Sequence, residues 1–187
     1  MNRKFVGMVM GLALAAGIAA PAGAEEGNWG NAASINPLPL IIGMVDGQYE
    51  MRLNSGASLP LRLSYWGWDL SSWKYTRIAV GGAYRMFSDK KALEGLYWGP
   101  QAAFNYNKAT YTDVFSNSAD VTVMGIGVGV EGGKQWIWKG GFLVDLGASV
   151  GYNLQSDAVV KVNGTEYKAS GGAGIGFGFR LGLGFAW

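Results

Sequence analysis

The chain has no histidine and no cysteine, so its chemistry must come from 15 basic residues, 13 acidic residues, hydroxyls and aromatic rings. Thiolate metal sites, cysteine nucleophiles, Ser-His-Asp triads and histidine-ligated metals are all excluded. The charges that fall on one alternating face are Glu50, Arg52, Arg62, Arg77, Arg85, Glu131, Asp145 and Arg180. Crowded into a narrow interior, such groups must pair or stay hydrated, because isolated burial of a charge is expensive. They predict a salt-bridged plug, with a small ion path as the alternative, in which the excess of arginine favours anions. Asp69, Ser71, Ser72 and Lys74 bring carboxylate, hydroxyl and amine close together. Nucleophilic or acid–base chemistry would need such groups, but a polar surface loop explains them more simply. Gly127, Gly129 and Gly132 match a dinucleotide fingerprint, yet they lie inside a strand pattern instead of opening a helix, so the match is read as coincidence. No catalytic set, cofactor or metal is expected.

The elements that position these residues follow from composition and period. Of 187 residues, 49% are hydrophobic, only 15% are charged and 31 are glycine, which fits neither an ordinary soluble globule nor a disordered chain. Arg3 and Lys4, an apolar run from Phe5 to Ala20, and an Ala-x-Ala pattern ending at Ala24 predict a cleaved signal peptide over residues 1–24. Without Arg3 and Lys4, residues 25–187 carry 13 basic and 13 acidic side chains and are formally neutral. That leaves no basic footprint for nucleic acid. After the N-terminus no apolar run reaches the roughly 18 residues of a membrane helix.

Residues 25–187 read in steps of two. In the last segment Ile175, Phe177, Phe179, Leu181, Leu183, Phe185 and Trp187 alternate with glycines, Arg180 and Ala186. Successive strand side chains point to opposite faces, so one face is continuously apolar and the other nearly bare. A soluble sandwich would put polar groups outside, whereas glycine suits the crowded interior of a narrow barrel. Similar alternation marks strands over residues 44–53, 57–66, 76–87, 96–107, 121–138 and 141–154. Pro100 weakens one of these runs, and Lys134 falls on the apolar face of another, at a membrane edge or beside a bulge. Asn163-Gly164 reads as a hairpin turn.

These are seven strands, and the links between them alternate. Those near 155–169, 108–120 and 67–74 are long; those at 139–140, 88–94 and 54–56 are shorter. Long outer loops, short inner turns and an even strand count are features of outer-membrane barrels. The eighth strand must come from Asn31 to Ile42, despite Pro37 and Pro39. The fold class expected is therefore all-β, an eight-stranded antiparallel transmembrane up-and-down barrel. The aromatic residues sort by strand end, as interfacial girdles do. Trp98, Trp136, Trp138, Phe142, Phe185 and Trp187 fall at one end, and Tyr65, Phe104, Tyr106 and Tyr152 at the other. Trp68, Trp73, Tyr111 and Phe115 in the loops extend the outer girdle or anchor a partner.

The signal peptide, the strand count and the final aromatic strand resemble small Gram-negative outer-membrane barrels, similar to the OmpA transmembrane domain and OmpX. Asn36-Pro37-Leu38, Gly43 and Tyr49-Glu50 also resemble an uncharacterised family of such barrels. The resemblance implies a bacterial outer-membrane location, lipid contact, and recognition of Phe185 and Trp187 by the barrel-assembly machinery. It also implies a closed, charge-paired lumen with a structural or surface-interaction role. The outer-membrane lipases, deacylases and proteases of this shape resemble one another in using histidine, which is missing here. A histidine-free lipid-modifying enzyme is therefore a more remote alternative.

Overall fold

The computed structural model describes residues 29–113, 118–162 and 165–187. The expected signal peptide, its cleavage point before Glu25, Phe115 and the Asn163-Gly164 turn lie outside the described residues. The strands are β1 (Asn31–Ile35), β2 (Met44–Asn54), β3 (Ala57–Leu70), β4 (Trp73–Ala83), β5 (Arg85–Phe87), β6 (Gly95–Thr112), β7 (Ser118–Ile137), β8 (Phe142–Gln155), β9 (Ala158–Val162), β10 (Thr165–Ala169) and β11 (Ala173–Ala186). β4 and β5 keep one register against both neighbours and form a single barrel strand interrupted at Tyr84. Tyr84 lies across from Pro100 of β6, whose carbonyl accepts from the Tyr84 N–H at 2.9 Å but which has no N–H to return to the ladder. β1 pairs with both β2 and β11, so eight antiparallel strands close on themselves.

The closing seam is short. Only Ala32 to Ile35 pair with Leu183 to Ala186, and the main chain of Trp187 extends the seam through hydrogen bonds with Gly30 and Asn31. The first strand does not run on to Ile42 as expected. Its two prolines end the ladder, and Pro39 opens a single 3-10 turn that stops at Gly43, whose φ of 76° suits glycine.

Two of the expected long loops are strand instead. β3 and β4 continue until only Ser71 and Ser72 join them, and β6 pairs with β7 as far as Thr112 and Ser118. Cross-strand contacts sustain these extensions: Asp69 with Lys74 at 3.3 Å, Lys108 with Asp120 at 3.1 Å, and the Trp73 and Tyr111 rings at 4.8 Å. The hairpin β9–β10 adds to the same side of the rim by pairing with β7. Pro100 sits within β6 without ending it. The register of β7 is unbroken at Lys134, so no bulge lies there; its ammonium stands 5.2 Å from the Trp136 ring centre. The irregularity in register falls in β2, between Arg52 and Asn54.

The large apolar side chains point out of the barrel. Ile175, Phe177 and Phe179 are 70%, 85% and 66% exposed, and the outward residues of every other long strand continue the belt. Inside, the end that holds Trp29 and Trp187 has an apolar floor. Leu93, from the 88–94 link, is fully buried against Trp29, Ala32, Leu143 and Ala186, with Ile137 beside them. To reach inward Leu93 adopts a φ of 74°, a conformation that a side chain with a Cβ resists. Removing its side chain with Leu93→Ala should destabilise the barrel by about 2–5 kcal/mol. Leu93→Gly regains only about 1–2 kcal/mol from the left-handed backbone and should remain less stable than the parent. Denaturant unfolding followed by tryptophan fluorescence tests both variants; unchanged midpoints would mean that Leu93 does not seal the floor.

Candidate functional site

Above that floor lies the charge cluster, and Arg85 of β5 is its centre. Its guanidinium is completely buried. A guanidinium has five N–H donors, and here each direction meets an acceptor. Nε donates to Glu131 at 2.7 Å, and Nη1 to Glu50 at 2.8 Å and to Gln135 at 3.1 Å. Nη2 donates to Asp145 at 3.0 Å and more weakly to Gln48 at 3.5 Å. The Tyr97 ring covers the group 4.0 Å away, and its hydroxyl donates to Asp145 at 2.6 Å. Ser58 donates to the second oxygen of Glu50.

Two more arginines extend the network. Arg62 meets Glu131 at 2.6 Å, Gln48 at 2.9 Å and Gln101 at 3.2 Å. Arg180 donates to Ser34 at 2.9 Å and stands 3.5 Å from Asp46 across the short seam. Its Nε is 3.3 Å from Asp145, close enough for charge attraction, although the group is not angled to hydrogen-bond. Six of the eight charges expected on the inner face thus share one assembly: Glu50, Arg62, Arg85, Glu131, Asp145 and Arg180. Arg52 is half-buried, one inward position beyond Glu50. Arg77 stands apart, bonded to Asn105 at 3.3 Å.

The structure adds partners that the charge pattern did not single out. Asp46, Gln48, Ser58, Tyr97 and Gln135 complete the network. An aromatic residue on an otherwise polar or small face, as Tyr97 is, was the available signal. Its ring needs Gly133 and Gly147: a Cβ at either would come 2.5 Å from the Tyr97 hydroxyl.

The outer rings do not sort to both ends as expected: Trp98, Trp136, Trp138, Phe142, Phe185 and Trp187 lie near one end, whereas Phe104 falls at the middle of the lengthened β6 and Tyr65, Tyr106 and Tyr152 lie between the middle and the far end. Trp98, Phe104, Trp138, Phe142 and Tyr152 are exposed on the outer surface, with Tyr65, Tyr106 and Trp136 half-exposed there. Trp138, Phe142 and Phe185 contact in series at 5.7 and 5.9 Å, and Tyr49 lies 6.2 Å from Trp187. The Asp69–Lys74 pair closes the β3–β4 hairpin, with Ser71 and Ser72 forming its turn. Gly127 to Gly132 lie within β7, where a Cβ at Gly129 would strike the Val150 carbonyl of β8 at 2.3 Å. Close strand contact explains that glycine.

Residues 8–174 match the family described as Protein of unknown function (DUF3575), and the chain belongs to that family. No curated protein and no solved structure matches it.

Replacing Arg85 with methionine leaves several carboxylates buried around an apolar chain. Arg85→Met should therefore destabilise the barrel by about 3–5 kcal/mol. Arg85→Lys should recover only part of that loss, because an ammonium has three donors and no planar fork. Unfolding midpoints of the two variants test this; a lysine variant as stable as the parent would show that charge alone suffices.

Proposed function

We propose that the chain is a non-catalytic outer-membrane barrel, exported through a cleaved signal peptide, whose closed lumen serves a structural or surface-interaction role. The observation that carries this reading is the pairing of an exposed apolar belt with an inner layer in which arginines and carboxylates pair with one another. In lipid each unpaired backbone group costs several kcal/mol, and only helices or closed barrels avoid that cost. The ring series at the Trp187 end fits one headgroup level of a bilayer. Phe185 and Trp187 lie at the seam, a suitable place for an assembly signal read by the barrel-assembly machinery.

The closed-lumen reading rests on two successive layers, the Leu93 floor and the Arg85 network. An anion-preferring pore would need both to open. The inward arginines that favoured anions at the level of sequence are occupied by carboxylates in the case of Arg62, Arg85 and Arg180. A lipid-modifying activity gains nothing from the Asp69–Lys74 hairpin, where acid and base pair with each other at 3.3 Å.

The mature chain refolded into detergent should migrate faster unboiled than boiled on a gel, and the same sample should give no steady conductance in a planar bilayer. Steady single-channel steps would replace the closed-barrel reading with the pore. Substituting arginine for Phe179, at the middle of the last outer face, should destabilise the protein in bilayers by about 2–4 kcal/mol. An unchanged midpoint would remove the lipid contact proposed for that face.

A further inference from the structure

The network fills only the half of the lumen nearer Trp29 and Trp187. Beyond it the interior is a cup, divided into adjoining spaces of about 250 and 390 Å³ that share Arg77, Asn105 and Asn153. Spaces of this size reach the range occupied by small ligands. The lining differs in character from the network. It mixes amides and glycines with apolar wall residues, and Arg77 is its one charged residue in both spaces. Four residues along β4 separate Arg77 from the level of Gly81, which pairs with Arg62, a distance of about 13 Å.

Arg77 is also the least satisfied of the inward arginines placed in these layers. Among the described residues it forms no ion pair, its one hydrogen bond is the 3.3 Å contact with Asn105, and its Nε is buried without a partner. A guanidinium with a free edge, in a recess lined by neutral groups, attracts an anion and favours a planar, two-oxygen one. The amides around it supply both donors and acceptors, which suits hydroxyls better than a bare inorganic ion.

The lip adds aromatic surface. Trp66 pairs directly with Arg77 across the β3–β4 ladder, and Trp68 with Tyr75. The Tyr75 ring lies 5.2 Å from Trp66 and 5.9 Å from Trp68, and its hydroxyl donates to Asn107, which lines the larger space. Trp66 donates in turn to the carbonyl of Ile42, fixing the lip to the link before β2. Rings beside convergent amides and a single cation form a surface for a compact polyhydroxylated acid.

We infer that this cup is a binding site for a small sugar acid, whose carboxylate Arg77 receives and whose hydroxyls meet the amides of Asn105, Asn107 and Asn153. The site is built from the barrel walls alone, so it does not depend on which compartment its mouth faces. Its closed floor makes it a receptor well instead of a passage.

The test is calorimetric titration of the folded, heat-modifiable protein in detergent with D-glucuronate and with D-glucose. Glucuronate should bind at least tenfold more tightly than glucose, and Arg77→Gln should weaken glucuronate at least tenfold while leaving glucose unchanged. Gly174→Trp provides a second variant: Gly174 pairs with Asn153, which lines both spaces, and a Cβ there meets nothing within 4 Å, so a large side chain has room to overhang the mouth of the cup. It should abolish glucuronate binding with the gel shift retained. No binding of glucuronate to the parent, equal binding of glucose, or full binding by either folded variant would each overturn the site.

Discussion

An eight-stranded ring leaves an interior about wide enough for side chains, and one fully buried guanidinium organises how this interior is filled. Arg85 cannot lose its charge and brings five donors, so the surrounding strands must present acceptors at one level. β2, β7 and β8 do so with Gln48 and Glu50, Glu131 and Gln135, and Asp145. These residues are distant in sequence and meet only because the ring closes. The network therefore cross-links strands that the backbone ladders connect only to their neighbours.

The need for space follows from the same centre. Tyr97 covers Arg85 and reaches Asp145, and its ring fits because Gly133 and Gly147 stand where side chains would collide with it. Below, Leu93 accepts an unfavourable backbone angle to complete an apolar seal. The interior is thus graded from apolar floor to charge-paired layer to a cup whose one charge is Arg77. Each layer solves a different problem: excluding water, fixing the strands, and leaving room for something else.

Much of the barrel was legible because a strand's two-residue period writes the inner and outer faces directly into the chain. The alternation over β11 and β8 and the parity of Glu50, Arg62, Arg85, Glu131, Asp145 and Arg180 gave the correct faces. The ends of strands were harder to read. Polar residues in 67–74 and 108–120 look like loops, yet cross-strand ion and ring pairs hold them in the ladder. Proline weighed differently in two places: at Pro37 and Pro39 it ended a strand, while at Pro100 the strand continued. Periodicity does not say which backbone groups a neighbouring strand will need.

The sequence by itself determined the strand parity, the even count, the absence of histidine and cysteine chemistry, and six of the charges that share the interior network. These are properties of residue type and spacing along one chain. Tertiary structure alone decided which acid faces which arginine, that Leu93 closes the floor, and that Arg77 is left outside the paired layer. Those outcomes depend on register and strand stagger around the closed ring. Register fixes the height of each inward residue, and only height separates a neutralised arginine from one available to a ligand.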